Sequence, residues 1–159
     1  MFATRFASIF SETLAVLLLT IPLGLFLVGT GTITVWGVLF GILAVILAFI
    51  LDSFISLSIG LVAFWTEDAR PYQWIYGKFL FVLGGLMFPL EIFPTWLQTI
   101  AKLLPPAYLM YYPARLFVDF SWELLLRALI GQIVYITVFG IAAYVIYKSA
   151  IRKVSINGG

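Results

Sequence analysis

Apolar positions in this chain come in long runs, interrupted by prolines, glycines and a few short polar loops. The first, about 8–28, holds about 20 mostly apolar residues, enough for a helix to cross ~30 Å of hydrocarbon. Pro22 and Gly24 within it predict a kink rather than an end, because neighbouring helices can satisfy the freed carbonyl. Gly29-Thr30-Gly31-Thr32 then predicts a tight uncharged turn. A second run, about 35–65, would be roughly 46 Å long as one helix and must tilt, kink or project beyond the bilayer. Gly37 and Gly41 in it form a GxxxG pair, which permits close helix–helix approach.

A third run, about 75–90, has about 14 residues before Pro89, short for a crossing. It is expected to continue past Pro89 with a kink or to stop short of the far surface. Gly84-Gly85 in its middle favours close packing or a bend. The last run, about 124–147, reads as an uninterrupted crossing. Lys148, Arg152 and Lys153 close it, and the tail from Ser155 to Gly159 reads as unstructured.

Between the last two runs, about 91–120, the chain is apolar yet repeatedly broken. Pro89, Pro94, Pro105, Pro106 and Pro113 each lack a backbone donor and crowd the preceding turn, so no single helix can form. Thr95 to Leu104 reads as an amphipathic helix starting after Pro94, with Trp96 in its first turn, and Leu104-Pro105-Pro106 stops it. Tyr108 to Val118, with Tyr112 and Pro113, reads as a second, aromatic-rich piece. Broken apolar elements of this kind lie in the membrane interface or re-enter a protein-lined cavity. The expected fold is all-α: one domain over 1–159, a polytopic bundle of four transmembrane helices with Pro-broken re-entrant or interfacial helices before the last.

Composition agrees. Of 159 residues, 64% are hydrophobic and 10% charged, where a soluble domain carries about 25% charged residues. Too little polar surface remains to coat a soluble core, so the chain reads as a membrane protein. Cysteine and histidine are absent, which excludes disulfides, thiolate chemistry, Cys/His zinc sites and histidine catalysis. The basic residues are spread along the chain, which argues against nucleic acid and for topology. With four spans, Arg5, Arg70, Lys78, Lys148, Arg152 and Lys153 share one side, against Lys102, Arg115 and Arg127 on the other. The positive-inside rule then puts both termini and the 66–76 loop in the cytoplasm and the broken segment outside. The first run resembles a signal-peptide h-region only superficially, since Phe26-Leu27-Val28 is no small-residue cleavage site.

Two groups of polar residues are candidates for function. Asp52 is the one charged residue deep in a span, and Ser56, Gly60 and Ala63 follow it on the same helical face. An intramembrane carboxylate either lines a substrate or water path or makes a hydrogen-bonded packing contact with a neighbouring helix. Glu67, Asp68 and Arg70 form the first densely charged loop, either a docking surface for a cytoplasmic partner or a solvated loop obeying the positive-inside rule. Asp52 and Glu91 are the only carboxylates in apolar surroundings. Nothing in their spacing brings them to one site, so paired-carboxylate catalysis is not expected, nor is any metal site.

The segments IGLVAFWTED, then GGLMFPLEIFPTWLQTIAKLLPPAYLMYYPARLF, then a final helix with a basic cluster and Gly-Gly, resemble the C-terminal part of ABC-2 family transporter permeases. In the subgroup known simply as ABC-2 family transporter protein, F-P-x-W-L follows the fifth span and L-P-F/P-x-Y-x-x-Y-x-P precedes the sixth. Here these segments are Phe93–Leu97 and Leu104–Pro113. The resemblance implies a permease of about six spans, paired with a second copy or a complementary membrane chain in the cytoplasmic (inner) membrane. Cytoplasmic ATPase subunits holding ATP and magnesium would drive export, and the broken segment would be the extracellular re-entrant helices capping the path. This chain aligns with the last four spans, so the remainder is expected on a separate chain, or else the chain is a truncated or assembly-type membrane protein without autonomous transport. It carries no G-x-x-x-x-G-K-[ST] motif, so any ATPase is a partner.

Overall fold

The computed structural model describes residues 33–66 and 68–157, with side chains through residue 151. Every regular element among them is helical: α1 (Val35–Thr66), α2 (Arg70–Leu83), a 3-10 turn (Leu90–Ile92), α3 (Thr95–Leu103), a π-helical turn (Ala107–Tyr111), α4 (Tyr112–Val118) and α5 (Trp122–Asn157). Two of them, α1 and α5, are long and apolar enough to cross a membrane. The first expected span, 8–28, lies outside the described residues.

The sequence of α1 explains how it packs. From Gly37 through Gly41, Ala44, Ala48, Leu51 and Ile55 to Ser58 its buried residues recur at alternating spacings of four and three, and Leu61 follows three further on, the repeat that keeps one seam facing a neighbouring helix. The first half of that seam is Gly and Ala, the second half Leu and Ile. Between helices in lipid there is no hydrophobic driving force, so small side chains that let backbones approach carry the association. The small half therefore admits the broken segment: a Cβ at Gly41 would lie 2.8 Å from the Phe117 ring, and one at Gly37 2.7 Å from the Leu116 carbonyl oxygen. The core is built from this seam together with Tyr108, Leu109, Tyr112 and Leu116 of the broken segment and Leu125 and Ala128 of α5. Trp36, Phe40, Phe120 and Trp122 close one end in stacked and edge-on contacts. The outward faces stay apolar, with Ile130, Ile141 and Tyr144 of α5 at least 60% exposed, as lipid contact requires.

Two expectations are corrected. The third apolar run forms a helix only over Arg70–Leu83, 14 residues, or about 21 Å. It starts before residue 75 and ends well ahead of Pro89. Gly84 caps it through a bond to the Leu80 carbonyl, and Gly85 turns the chain at φ +82°, a region that side chains strongly disfavour. The glycine pair, rather than the proline, ends this helix. The last helix runs beyond the expected 147 to Asn157, so Lys148, Arg152 and Lys153 stand on helix and Ser155 to Asn157 are not an unstructured tail. The expected piece from Tyr108 to Val118 is present as the π turn and α4 in succession, with Pro113 the second residue of α4.

Candidate functional site

The broken segment folds into one unit, and its prolines determine where its polar backbone groups go. Pro94 adopts φ −54° and ψ 147°, so α3 starts at Thr95, and the Pro94 carbonyl accepts the backbone N–H of both Leu97 and Gln98. Leu104 turns extended ahead of Pro105-Pro106 and ends α3, leaving its last carbonyls without helical donors. Two tyrosines take them up: the Tyr112 hydroxyl donates to the Lys102 carbonyl at 3.1 Å, and the Tyr135 hydroxyl, from α5, to the Leu103 carbonyl. At the other end of α3, Gln98 Nε2 donates to the carbonyls of Glu91 and Phe93, at 2.9 and 3.1 Å, tying it to the 3-10 turn.

The π turn follows from Pro113. A proline cannot donate and its ring clashes with the carbonyl four residues back, and here the helix widens just ahead of it, the Tyr112 N–H bonding the Ala107 carbonyl five residues back. In that register the donor to the Tyr108 carbonyl would be residue 113, which has no N–H. Gln132 supplies it. Fully buried on α5, its Nε2 donates to the Tyr108 carbonyl at 3.0 Å and to the Ala44 carbonyl of α1 at 2.8 Å. One amide thus joins both long helices to the broken segment, while its Oε1 has no partner among the described residues. Beside it, the Tyr108 ring lies directly on Gly131, where any Cβ would overlap it, and packs at a tilt against the Tyr112 and Tyr135 rings, with centroids 4.8 and 5.3 Å away.

A polar cluster lies at the rim of the same unit. The Tyr111 hydroxyl donates to Glu91 Oε1 at 2.7 Å, Arg115 Nη1 donates to both, and Arg115 Nη2 reaches Asp119 at 2.7 Å. Lys102 and Arg115 both sit near the Tyr111 ring. Burial pushes the Tyr111 phenol up to about 12, with the bond to Glu91 adding to it. Partial burial works to raise the Glu91 carboxyl, but the Tyr111 bond, the backbone and the charges of Lys102 and Arg115 together hold it below its ordinary value. The bond to Asp119 raises Arg115.

The segment residues singled out from sequence divide between these contacts. Tyr108, Tyr112 and Pro113 sit in the core beneath the segment and Glu91 in the rim cluster, while Pro89, Pro94, Pro105 and Pro106 set its turns. Trp96 stands apart, 65% exposed on the outward face of α3.

Asp52 is elsewhere. Its Oδ1 accepts the Tyr76 hydroxyl at 2.6 Å, which fastens α2 to α1. Ser56 and Gly60 continue along the same face, half-buried, and among the described residues nothing lies within 4 Å of a Cβ built at Gly60. Asp68 and Arg70 pair with each other at 3.0 Å on an exposed loop. The hydrogen bond from Arg70 lowers the Asp68 carboxyl, and the same bond raises Arg70. Glu67 lies outside the described residues. Asp52 and Glu91 have different partners and share no site, and among the described residues no group of His, Cys, Asp and Glu could hold a metal ion.

Sequence reading missed Gln132, Tyr111 and Tyr135, and read Tyr76 as part of an interfacial aromatic belt with Trp65, Tyr72 and Trp74 rather than as the partner of Asp52. Gln132 carried a signal, being the lone amide in the apolar run 124–147, where polar side chains are costly unless bonded. The tyrosines carried none beyond their number.

The chain matches the family model described as ABC-2 family transporter protein over residues 3–158. No curated protein and no solved structure matches it. The matched stretch takes in both long helices and the whole broken segment packed between them, and the chain belongs to the ABC-2 family of transporter proteins, the membrane permeases of ABC transporters.

Proposed function

We propose that the chain is the permease subunit of an ATP-driven exporter in the cytoplasmic membrane. Both termini would be cytoplasmic, and the chain would move an amphiphilic substrate outward with a separate ATPase subunit. The observation that carries this reading is the family match across nearly the whole chain. Nucleotide and magnesium would be held by the partner, since this sequence has no phosphate-cradling Gly-rich loop with its lysine. The chain itself would catalyse no bond-making step. Its part is to offer a path and to change shape when the ATPase subunits close.

The residues divide into roles on that reading. The loop at 66–70 contacts the ATPase, and because Asp68 and Arg70 already pair, docking exchanges one exposed ion pair for another at little net cost. The broken segment, held on α1 and α5 by Gln132 and the tyrosines, caps the path at the outer face. A second copy or a complementary membrane chain completes the walls. Asp52, bonded to Tyr76, holds α2 beside the path, and the half-buried Ser56 and Gly60 continue that face along α1.

The test is transport in inverted membrane vesicles containing this chain and its ATPase. ATP-dependent accumulation of a fluorescent amphiphile that needs both proteins is the expected result. Accumulation that persists when this chain is deleted would remove it from the path.

A further inference from the structure

The outward face of α2 carries a feature that neither the packing nor the proposed role uses. Trp74, Gly77, Lys78 and Phe81 fall on one side of the helix and line an open groove of about 240 Å³. Trp74 and Phe81 are 67% and 48% exposed, and a Cβ built at Gly77 meets nothing within 4 Å among the described residues, so the groove has aromatic walls and a flat floor. Lys78 stands one turn from Trp74, its Nζ 5.0 Å from the centre of the indole ring. The other cation of α2, Arg70, is paired with Asp68. Lys78 forms no ion pair among the described residues, and α2 contains no Asp or Glu. The nearest intramembrane carboxylate, Asp52, is committed to Tyr76 on the opposite, packed face.

We propose that this groove binds an anionic phospholipid, with its phosphate on Lys78 and an acyl chain laid across Gly77 between Trp74 and Phe81. A lysine at a bilayer buries its stem in apolar surface and sends its ammonium to the headgroup layer, where an anionic phosphate is the available counter-charge. Trp74 suits the same depth, with an apolar ring for the chain and an N–H donor for the headgroup. Free phosphate would meet a single ammonium and no free backbone donors, because the N–H groups of this helical turn are engaged within the helix. A second copy docked through the same face would set Lys78 against Lys78 with no acid on α2 to offset it. The proposal requires only that α2 lie at a bilayer, and it stands whether or not the chain exports anything.

The test uses the full chain in phosphatidylcholine vesicles doped with phosphatidylglycerol carrying dibrominated acyl chains, which quench nearby indoles. Trp74 emission is isolated as the difference between wild type and W74F. Expected is quenching of Trp74 by brominated phosphatidylglycerol that exceeds that by brominated phosphatidylcholine, with an affinity ratio of roughly fivefold, the weight of one basic residue at an anionic surface. K78Q should abolish the preference while leaving quenching by both lipids, and K78R should restore it. A preference unchanged in K78Q would overturn the proposal. So would a Trp74 that neither lipid quenches.

Discussion

Replacing Gln132 by Leu tests the link between the broken segment and the long helices. The change removes two hydrogen bonds, to the carbonyls of Ala44 and Tyr108. They are not equivalent. Ala44 lies inside α1 and its carbonyl keeps a helical donor, whereas the Tyr108 carbonyl in the π register faces Pro113, which has no N–H. An orphaned buried acceptor costs about 1–3 kcal/mol, while hydrogen bonds between membrane helices average about 0.6 kcal/mol and reach about 1.7. Leucine fills nearly the same volume, so the cavity term is small, and it also removes the unpartnered Oε1. The net loss should be about 1 kcal/mol, roughly fivefold in the opening equilibrium. Because the chain has no cysteine, a single A101C substitution reports opening cleanly: Ala101 is fully buried on α3, and maleimide reaches it only when the segment lifts. Q132L should raise that labelling rate roughly fivefold, and by less in a P113A background, where residue 113 regains an N–H for the orphaned carbonyl. Labelling and detergent stability both unchanged in Q132L would refute the role given to this amide.

Three further outcomes are expected. G131A forces a Cβ into the Tyr108 ring and should destabilise the chain by ~1–3 kcal/mol as overpacking, read as a lower thermal midpoint in detergent; an unchanged midpoint would mean that the ring can move aside freely. In a double-mutant cycle of D52N and Y76F, the double variant should lose clearly less than the two single losses added together, since both remove one 2.6 Å bond; simple additivity would show that the two residues act apart. The third concerns acid. Glu91 is held below its ordinary value, so its contribution is complete above about pH 4.3 and is lost as pH falls through its lowered folded value. The thermal midpoint in detergent should therefore fall modestly as the pH drops below that value in wild type, and by less in E91Q. The effect is small, under about 1 kcal/mol, because the Glu91 and Arg115 side chains are 47% and 39% exposed and the pair is screened by solvent.

How much of this could be read from the residues depends on whether a constraint was local. Pro94 and Leu104-Pro105-Pro106 bound α3 within a residue of the expected ends, because proline acts on its own turn and the one before it. The small-residue seam of α1 is likewise local, and Gly37 and Gly41 declare a close approach, though not that Leu116 and Phe117 make it. The end of α2 was misplaced because a glycine pair only permits a turn, and the turn is decided by what packs there, with Met110 against Gly84 and Leu90 near Gly85. The polar contacts were out of reach. Asp52 finds Tyr76 and Glu91 finds Tyr111 and Arg115 across twenty or more residues. Any of several tyrosines was chemically equivalent as a partner until the fold chose. Gln132 was visible as an isolated amide, but its partner carbonyl exists only because Pro113 shifts a turn two elements away.

The most direct test of the central claim is affinity capture of the tagged full-length chain from gently solubilised native membranes. Recovery of an ATP-binding-cassette ATPase, with ATP hydrolysis that rises when this chain is present, is the expected result and would establish an ATP-driven permease. A stable, correctly inserted chain that brings down no ATPase at native abundance would contradict it and leave a membrane protein whose packing serves assembly alone.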